Sequence, residues 1–394
     1  MNKRTRTFIF LLLLILAAFA IVGCGSSQES EGITEEITVI EEAPEPIVEP
    51  TKEPTAEPTI EPSPEPTAIP VPTDPNFPPA MIYHSAIFDS SDNQILIFGG
   101  NSKHGTNGDV KEVFSYDPVT GAWGESIPFD ANPPWKNAFP PAYDIESDRA
   151  IILNMIGETW AFEFSSATWE LMNPSPAPSG RCGHTMTYDI ESDVVILYGG
   201  FACNSPMDPP SKEVWAYNYN TNTWEEMGTG PDERIYHTAA YDSESDRMLI
   251  WGGRPHTDNA NTSIWAFDYN TNSWSEHPSD SAPSFRSSYH TMTYIPELDR
   301  TIIYGGVVLT GPFGGDFVLD VWEYDFNSNA WSLVVTSGDS PPALAKQVMV
   351  YDPGTGLAYM YGGSREVIYD DAFISYEFWS YDPINHIWDN LLID

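Results

Sequence analysis

The sequence predicts an all-β fold, a six-bladed β-propeller with four antiparallel strands in each blade. Two recurring features carry this prediction: a Gly-Gly pair that ends an apolar run, and an aromatic pair with a constant gap of nine residues. No segment shows the helical spacing of apolar residues. Units of about fifty residues with four short strands are typical of propellers, and the usual range of four to eight blades admits six.

These features recur along residues 81–394. The glycine pairs are Gly99-Gly100, Gly199-Gly200, Gly252-Gly253, Gly305-Gly306 and Gly362-Gly363. The aromatic pairs are Phe114/Trp123, Trp160/Trp169, Trp215/Trp224, Trp265/Trp274, Trp322/Trp331 and Trp379/Trp388. Together they predict blades with approximate bounds of 81–128, 129–172, 173–227, 228–277, 278–334 and 335–394.

The third unit shows how each unit divides into strands A to D. Residues 184–189 alternate as strand A, 194–198 form an apolar strand B that ends at Gly-Gly, and 214–219 form strand C. An Asn/Thr turn then leads to strand D at Trp224. Because twisted sheets stack face to face, the recurring aromatic side chains are expected to fill the gaps between blades.

Residues 1–23 have the features of an export signal. Lys3, Arg4 and Arg6 precede fifteen consecutive apolar residues over 8–22, whereas a spanning helix usually needs about 20. The segment Ile-Val-Gly-Cys at 21–24 resembles a bacterial lipobox, with Ile in place of the commoner Leu. We therefore expect a lipoprotein signal peptide and lipidation of Cys24, which would anchor the chain to a membrane. An uncleaved signal anchor is the alternative.

Residues 24–80 are expected to form a disordered, acidic, Pro-rich linker. Glu-Pro recurs every four residues from Glu49-Pro50 to Glu65-Pro66, and thirteen of the 35 prolines lie between Pro44 and Pro79. Proline removes a backbone donor and the glutamates repel one another, so the segment stays extended and solvated. We interpret it as a stalk that carries the propeller.

The composition excludes several classes of protein. Lys and Arg number 17 against 57 Asp and Glu, a net charge of -40, which would repel the phosphate backbone of a nucleic acid. Three cysteines are too few for a disulfide-built scaffold or a structural zinc cluster. Without a nucleophilic motif, a phosphate loop or zinc-ligand spacing, we predict no catalytic residue, metal or cofactor.

The units resemble kelch repeats. The resemblance rests on the Gly-Gly after strand B, the aromatic before the C–D turn and the Trp nine residues later. An Arg-x-x-His entry to strand A also occurs, at Arg181–His184 and Arg234–His237. The resemblance covers all six units and implies a propeller of the kelch and galactose-oxidase-like group. Either simple closure or exchange of a terminal strand would complete the ring.

Two units depart from the pattern of the others. The second has Ile156-Gly157 where Gly-Gly is expected, and almost no loop before strand C. The sixth has Gln347 where the others have His, and Leu344 near the Arg position. We expect both blades to form, with local differences at these residues.

Four histidines occupy the same place in strand A: His84, His184, His237 and His290. A ring of metal ligands is one hypothesis. However, an inner strand turns its edge to the central channel and its side chains toward the neighbouring blades. We therefore expect these histidines to pack between blades and to hydrogen-bond backbone groups.

Cys182 and Cys203 are expected at the same end of the third blade, since strand A begins near the first and strand B ends before the second. In an oxidising exterior a disulfide is the economical explanation; two free thiols are the alternative. Galactose-oxidase-like relatives use a Cys-linked Tyr at a copper site, which a disulfide would preclude. Sialic-acid isomerisation, a second enzymatic precedent, needs an acid/base pair that the sequence does not reveal.

The two faces of the propeller are expected to differ. The A–B turns, such as 144–148, 189–193 and 242–246, are short and acidic and share a face with the C–D turns. Asp and Ser are ordinary turn residues, so we interpret them as structural, with calcium binding as the alternative. The opposite face carries the variable B–C loops and D–A connections, and is called the loop face below.

Variable loops on a regular scaffold are where binding usually resides, so we expect a binding module that recognises a protein or a glycan through the loop face. The alternative is a carbohydrate-active enzyme of the oxidase or isomerase type. We expect a monomeric propeller, extracytoplasmic and anchored by lipid to a bacterial membrane or surface. The candidate binding residues are Trp135, Lys136, Arg181, Arg234, Arg254, His256, Arg286, Phe313, Phe317 and Phe373.

Overall fold

The structure, a computed structural model, describes residues 72–103, 109–128, 140–203, 209–255, 262–311, 314–365 and 374–392. The predicted signal peptide, Cys24 and the Glu-Pro repeats lie outside these residues. The described residues form an all-β, six-bladed propeller, so the predicted fold class is confirmed. No helix in the described part of the chain is long and apolar enough to cross a membrane.

The first three blades follow one another along the chain. Blade 1 contains β1 (Ser85–Asp89), β2 (Gln94–Phe98), β3 (Glu112–Asp117) and β4 (Ala122–Trp123), with the short β5 (Ile127–Pro128) also paired to β3. Blade 2 contains β6 (Ala142–Asp144), β7 (Arg149–Leu153), β8 (Thr159–Glu163) and β9 (Thr168–Leu171). Blade 3 contains β10 (Cys182–Asp189), β11 (Val194–Phe201), β12 (Glu213–Asn218) and β13 (Thr223–Thr229).

Blades 4 to 6 repeat this order, and two of them carry an extra two-stranded sheet at the loop face. Blade 4 contains β15 (Thr238–Asp242), β16 (Arg247–Trp251), β18 (Ile264–Asp268) and β19 (Ser273–His277), and β14 (Arg234–Ile235) pairs with β17 (Arg254–Pro255). Blade 5 contains β20 (Thr291–Ile295), β21 (Arg300–Tyr304), β24 (Val321–Asp325) and β25 (Ala330–Val334), and β22 (Val307–Gly311) pairs with β23 (Gly314–Phe317). Blade 6 contains β26 (Val348–Asp352), β27 (Leu357–Tyr361), β28 (Phe378–Asp382) and β29 (Ile387–Asn390).

The ring closes without exchange of a strand. Blade 1 takes its four main strands from consecutive sequence, and its inner strand β1 packs beside β26 of blade 6. Across this junction the backbone N–H of Met81 donates to the carbonyl of Ser375 at 3.3 Å, and that of Gly363 donates to the carbonyl of Met81 at 2.9 Å. Of the two modes of closure that the sequence left open, the structure has the simple one.

The hydrophobic core is divided among the junctions between neighbouring blades. Six clusters of buried residues each draw on two adjacent blades, as predicted for the recurring aromatics. Between blades 2 and 3, for example, Trp224 is 3% exposed and its indole N–H donates to Thr159 Oγ1 at 2.8 Å. Each blade therefore depends on its neighbours to bury its apolar faces.

The glycine pair of blade 3 shows why strand B must end in Gly-Gly. Both glycines have a positive φ, 71° at Gly199 and 91° at Gly200, which disfavours other residues. A Cβ at Gly200 would lie 2.9 Å from the Cβ of His184 in the same blade. A Cβ at Gly199 would lie 2.9 Å from Cε1 of His237 in the next blade. The pair therefore clears space for two inner strands at once.

The folded unit includes the last residues of the segment that the sequence assigns to the linker. The ring of Phe77 packs edge-on against Trp123 of blade 1, with 5.2 Å between centroids, and lies 5.9 Å from Tyr361 of blade 6. The Tyr361 hydroxyl donates to the carbonyls of Pro78 and Pro79 at 2.9 and 2.8 Å. These contacts fasten residues 77–79 to the junction where the ring closes.

Candidate functional site

The strand-A histidines lie between blades, as their position in the sequence predicts. His84 Nε2 donates to the carbonyl of Tyr361 at 3.0 Å, and His290 Nε2 donates to the carbonyl of Trp251 at 3.2 Å. Each acceptor is the residue before the Gly-Gly of the preceding blade. His237 Nε2 instead pairs with Thr185 Oγ1 at 2.8 Å.

Gln347, which replaces the histidine in blade 6, makes the same interblade hydrogen bond. Its amide Nε2 donates to the carbonyl of Tyr304 at 3.3 Å, and Tyr304 precedes the Gly-Gly of blade 5. Only a neutral donor of suitable length is needed at this position, and both an amide and a neutral imidazole provide one.

Burial keeps the four histidines neutral. It lowers the pKa of His84 to about 4 and that of His184 and His290 to about 3. The pKa of His237 is also held well below its usual value, by burial and by the charge of Arg234. The imidazoles therefore act as uncharged hydrogen-bonding and packing groups near neutral pH.

Three of the predicted binding residues, Arg181, Arg234 and Arg286, are buried rather than displayed on the loop face. Their exposed fractions are 2%, 1% and 1%. Each guanidinium donates to the carbonyl of the first glycine in its own blade's Gly-Gly pair, at 3.2, 3.0 and 2.7 Å. The D–A segment thus brings each guanidinium inward to the end of strand B. Their role in binding a partner stays a prediction.

Each buried arginine is also neutralised by a carboxylate. Arg181 pairs with Glu213 at 2.6 Å, Arg234 with Asp232 at 2.7 Å and Arg286 with Asp320 at 2.5 Å. Glu213 and Asp320 stand two residues before a blade tryptophan and accept its indole N–H. In blades 3 and 5, this triad of arginine, carboxylate and tryptophan ties the D–A segment to strand C.

Blade 6 forms this triad with an arginine from a different segment. Leu344 stands near the arginine position of the other blades, but Arg365, in the loop after strand B, pairs with Glu377. Glu377 also accepts the indole N–H of Trp379 at 2.6 Å. The departure that the sequence shows at Leu344 is therefore compensated within the same blade.

The other predicted binding residues have different positions. Arg254 is exposed and begins the short strand β17, opposite Ile235. Phe317 is half-buried and ends β23, opposite Val307. The remaining candidates lie outside the described residues: Trp135, Lys136, His256, Phe313 and Phe373.

Cys182 and Cys203 form the predicted disulfide, with a Cα–Cα distance of 5.5 Å. Cys182 begins β10 and is paired in register with Phe201 at the end of β11. Both cysteines also line the central cavity described next. Because the two sulfurs are bonded to each other, neither can form the cysteine–tyrosine link of the oxidase alternative.

A cavity of about 620 Å³ lies on the propeller axis, among the inner strands and the segments that enter them from the loop face. We call it the axial cavity. Its mouth is formed by the residues immediately before the strand-A His or Gln, namely Tyr83, Gly183, Tyr236, Tyr289 and Lys346. All five have a left-handed backbone, with φ between 54° and 66°. For large side chains this conformation is unusual and costs about 1 kcal/mol or more.

The aromatic members of the mouth contact one another. The ring of Tyr289 lies 5.4 Å from that of Tyr236 and 6.1 Å from that of Tyr83. Phe201, at the end of β11, lies 6.0 Å from Tyr236. Each of the three tyrosines is half-buried, so part of each side chain remains accessible at the mouth.

Lys346 places a cation among these rings. Its Nζ lies 4.7 Å from the ring centre of Tyr83 and 5.2 Å from that of Tyr289, and the residue is 8% exposed. Within the described part of the chain, no carboxylate forms an ion pair with it. Burial lowers the pKa of the Lys346 ammonium to about 8. The tyrosine faces stabilise the charge through cation–π contacts.

The charge of the cavity lining is opposite to that of the whole molecule. The chain has a net charge of -40. Among the described residues that line the axial cavity there is no Asp or Glu, whereas Lys103 and Lys346 are both present. The axial cavity is therefore a locally basic site in a strongly acidic protein.

On the opposite face, the acidic turns use their carboxylates within the fold. Asp189 Oδ1 accepts the backbone N–H groups of Glu191 and Ser192 at 3.1 and 2.9 Å. It also accepts the hydroxyl of Tyr241 from the next blade at 3.1 Å. The equivalent Asp89 accepts the hydroxyl of Tyr143 at 3.2 Å. These contacts support the structural interpretation of the turns.

Comparison with known families supports the assignment of the repeats. The family model of the KLHDC2/KLHL20/DRC7 Kelch-repeats domain matches residues 202–394. The match covers just under half of the chain. The matched residues include blades 4 to 6 and part of blade 3.

The chain spans about a quarter or less of the length of the curated relatives described here. Mei4-dependent protein 6 of Schizosaccharomyces pombe is 23% identical over 225 residues, which cover 55% of this chain and 23% of that protein. Multiple epidermal growth factor-like domains protein 8 is 28% identical over 102 residues in Mus musculus and over 115 residues in Rattus norvegicus. The latter matches cover 25% and 28% of this chain and 4% of each relative.

The mouth of the axial cavity was not predicted from the sequence, although a signal for it is present. Tyr83, Tyr236 and Tyr289 each stand directly before a strand-A histidine, and Lys346 stands before Gln347. An aromatic residue repeated at this position in three units is a pattern, but its meaning depends on the left-handed backbone that turns the side chains toward the axis.

Proposed function

We propose that this chain is an exported, lipid-anchored kelch propeller that binds a protein or glycan partner through its loop face. The observation that carries the proposal is the mouth of the axial cavity, where three half-buried tyrosines have left-handed backbones. Tyr83 and Tyr289 flank Lys346, and Tyr236 lies beside Tyr289. Tyrosine is enriched in interface hot spots. Backbone strain of this kind is concentrated at functional sites.

The surrounding loops extend this surface. Two short two-stranded sheets, β14–β17 and β22–β23, lie at the loop face. They carry the predicted contact residues Arg254 and Phe317. A kelch propeller is generally a protein-interaction module, which supports a protein as the partner. The glycan alternative rests on the resemblance to carbohydrate-active propellers.

The proposal can be tested by capture of a partner with the chain carrying Cys24→Ser, which lacks the lipid site. We expect surface pull-down or a glycan array to return a specific ligand. Tyr289→Gly should weaken its binding at least tenfold, a loss of about 1.4 kcal/mol. Gly183 occupies the equivalent position in blade 3 with a φ of 65°, so glycine suits this backbone. Thermal melting of Tyr289→Gly shows whether the fold persists without the contacts of Tyr289 to Tyr83, Tyr236 and Lys346.

Val119→Ala provides a matched control on the opposite face, since Val119 is 72% exposed in a C–D turn. We expect this variant to bind as the parent does. A ligand that is lost with Val119→Ala and kept with both Tyr289→Gly and Tyr236→Gly would refute the loop face as the binding surface. Turnover of a sugar without a stable complex would favour the enzymatic alternative.

Lipid anchoring needs a separate experiment, because it rests on residues 1–24 alone. In a bacterial host, we expect labelled palmitate to be incorporated into the parent chain and not into Cys24→Ser. The parent should remain with the membrane fraction while Cys24→Ser is released. Equal labelling of both chains would show that Cys24 is not the lipidated residue.

A further inference from the structure

We propose that the axial cavity is a binding site for a small organic anion, a carboxylate attached to a flat-faced ring, with Lys346 as its counter-ion. This goes beyond the proposed function, since such a site can exist whether or not the loop face binds a macromolecule. The shared chemistry admits two sources, a sugar acid of the uronic type and an aromatic acid.

The first step of the argument is the charge. A buried lysine normally has a carboxylate partner, because an uncompensated charge away from water is costly. Lys346 is 8% exposed, has no such ion pair among the described residues, and shares its cavity with no described Asp or Glu. In a chain with a net charge of -40, carboxylates are abundant, yet they are absent from the described lining. A ligand carboxylate would supply the missing counter-charge.

The second step is the shape of the cavity. Its volume of about 620 Å³ falls within the range of small-molecule sites. Met186, Met292 and Met349 contribute adaptable apolar surface along the inner strands. A ring of six atoms with a carboxyl group can be enclosed in such a space, whereas a folded protein surface cannot enter it.

The third step is the aromatic mouth. Tyr83 and Tyr289 flank the Lys346 ammonium at 4.7 and 5.2 Å, and Tyr236 adds a further ring beside Tyr289. A carboxylate held by the ammonium would place an attached ring against these phenol faces. Aromatic faces suit a flat ring, so charge and stacking together select a ring that carries a carboxylate.

The neighbouring imidazoles do not compete for this role. All four strand-A histidines, His84, His184, His237 and His290, also line the cavity, but burial holds the pKa of each well below neutrality. They are uncharged at neutral pH, and the Nε2 atoms of three of them, His84, His237 and His290, are already hydrogen-bonded. Lys103, the other lysine of the lining, is exposed rather than enclosed. The enclosed cation of the described lining is Lys346.

The test is calorimetric titration of the full chain carrying Cys24→Ser with glucuronate and with benzoate, each compared with its uncharged counterpart, glucose or benzyl alcohol. We expect at least one of the two acids to bind at least tenfold more tightly than its neutral counterpart. Tighter binding of glucuronate would identify a sugar acid as the source, and tighter binding of benzoate an aromatic acid.

Two substitutions separate the counter-ion from general packing. Lys346→Met should weaken binding of the acid at least tenfold, and Lys346→Arg, which keeps the charge, should retain most of it. Lys111→Met removes an exposed cation that does not line the axial cavity and should change binding by less than threefold. Thermal melting of each variant shows whether the fold persists; Lys346→Arg keeps the test informative if Lys346→Met unfolds.

Four results would overturn the proposal. Three are equal binding of both acids and their neutral counterparts, undiminished binding by folded Lys346→Met, and no binding of either acid at millimolar concentration. An acidic peptide that binds through Lys346 while both ring acids do not would also overturn it. Capture of a macromolecular partner by Lys346→Met would leave the proposed function standing, so the two failures are distinguishable.

Discussion

The interblade hydrogen bond made by His84 and His290 requires a proton on Nε2, and burial disfavours a charge on the ring. Gln347 makes the equivalent bond to Tyr304 with a group that never titrates. The chain therefore contains its own internal comparison: one blade junction is insensitive to acid at this residue, and the junctions that use histidine are not.

We predict that acid destabilises the propeller through these histidines. The pKa of His290 is about 3 in the folded state and near 6.5 when unfolded, so the unfolded chain binds a proton first. Stability is therefore complete above pH 6.5 and falls as pH decreases toward 3. By pH 5 the loss should be about 2 kcal/mol for this residue.

His290→Gln should remove that part of the acid loss, because it copies the residue found in blade 6. Denaturant unfolding at pH 7.5 and at pH 5 measures it: the difference between the two should shrink in His290→Gln and grow in Gln347→His. If the difference in stability between pH 7.5 and pH 5 is unchanged in both variants, other groups control the loss of stability in acid.

The histidines and the arginines differ in how far the sequence predicted them. Strand alternation placed His84 and His290 between blades, because strand direction alone determines which way such a side chain points. Arg181, Arg234 and Arg286 lie in connections, where no periodicity fixes direction, and composition alone suggested exposure. Their fixed distance to the Gly-Gly pair, 18 or 19 residues, is the signal of their common acceptor.

At the scale of the strands, the glycine at the end of strand B belongs to two blades at once. We predict that Gly199→Ala destabilises the fold by more than 2 kcal/mol, since its Cβ would lie 2.7 Å from the carbonyl oxygen of Arg234 and 2.9 Å from His237. The added methyl must displace a neighbouring blade.

Gly228→Ala is the matched control within the same blade. Gly228 has a φ of 101°, also in the left-handed range, but a Cβ there would meet nothing within 4 Å. It should therefore cost only backbone strain, about 1 kcal/mol. Equal losses in the two variants by thermal or denaturant unfolding would show that strain alone explains both glycines.

The four main strands of each blade were predictable because Gly-Gly, aromatic pairs and Asp-rich turns mark their ends. The two-stranded sheets β14–β17 and β22–β23 could not be predicted, because they lie in segments that the sequence shows only as variable. Pairing of Arg234–Ile235 with Arg254–Pro255 joins a D–A segment to a B–C loop. Such a contact depends on how the two segments meet at the loop face rather than on local sequence.

At the scale of the whole molecule, the ring is closed by side-chain packing and hydrogen bonds between blades 1 and 6. Phe77 takes part in this junction, where it contacts Trp123, Tyr361 and Phe378. We predict that Phe77→Ala lowers the free energy of unfolding by about 2 kcal/mol, less than for a fully buried Phe because Phe77 is half-buried.

Thr73→Ala, four residues earlier at an exposed position, serves as the control for Phe77→Ala. Thermal unfolding should show no change for Thr73→Ala. If Phe77→Ala is also unchanged, residues 77–79 are part of the linker in energetic terms, as the sequence first suggested.

Repeat length and composition predicted the number of blades and the contrast between a turn face and a loop face. They did not predict the axial cavity, because residues from all six blades meet there only once the ring has closed. The mouth residues are up to 263 positions apart, from Tyr83 to Lys346. No local pattern in the sequence states that the two are neighbours.

The absence of described carboxylates around the axial cavity has a kinetic consequence. A molecule with a charge of -40 slows the approach of any anion, and the attraction of Lys346 is felt only within about a Debye length, about 8 Å at physiological salt. Added salt should therefore speed the entry of an anion while weakening its final contact. Anions would enter the axial cavity slowly, because the net charge of the protein repels them, and Lys346 would select them only at the last step. An uncharged ligand would not meet this electrostatic barrier.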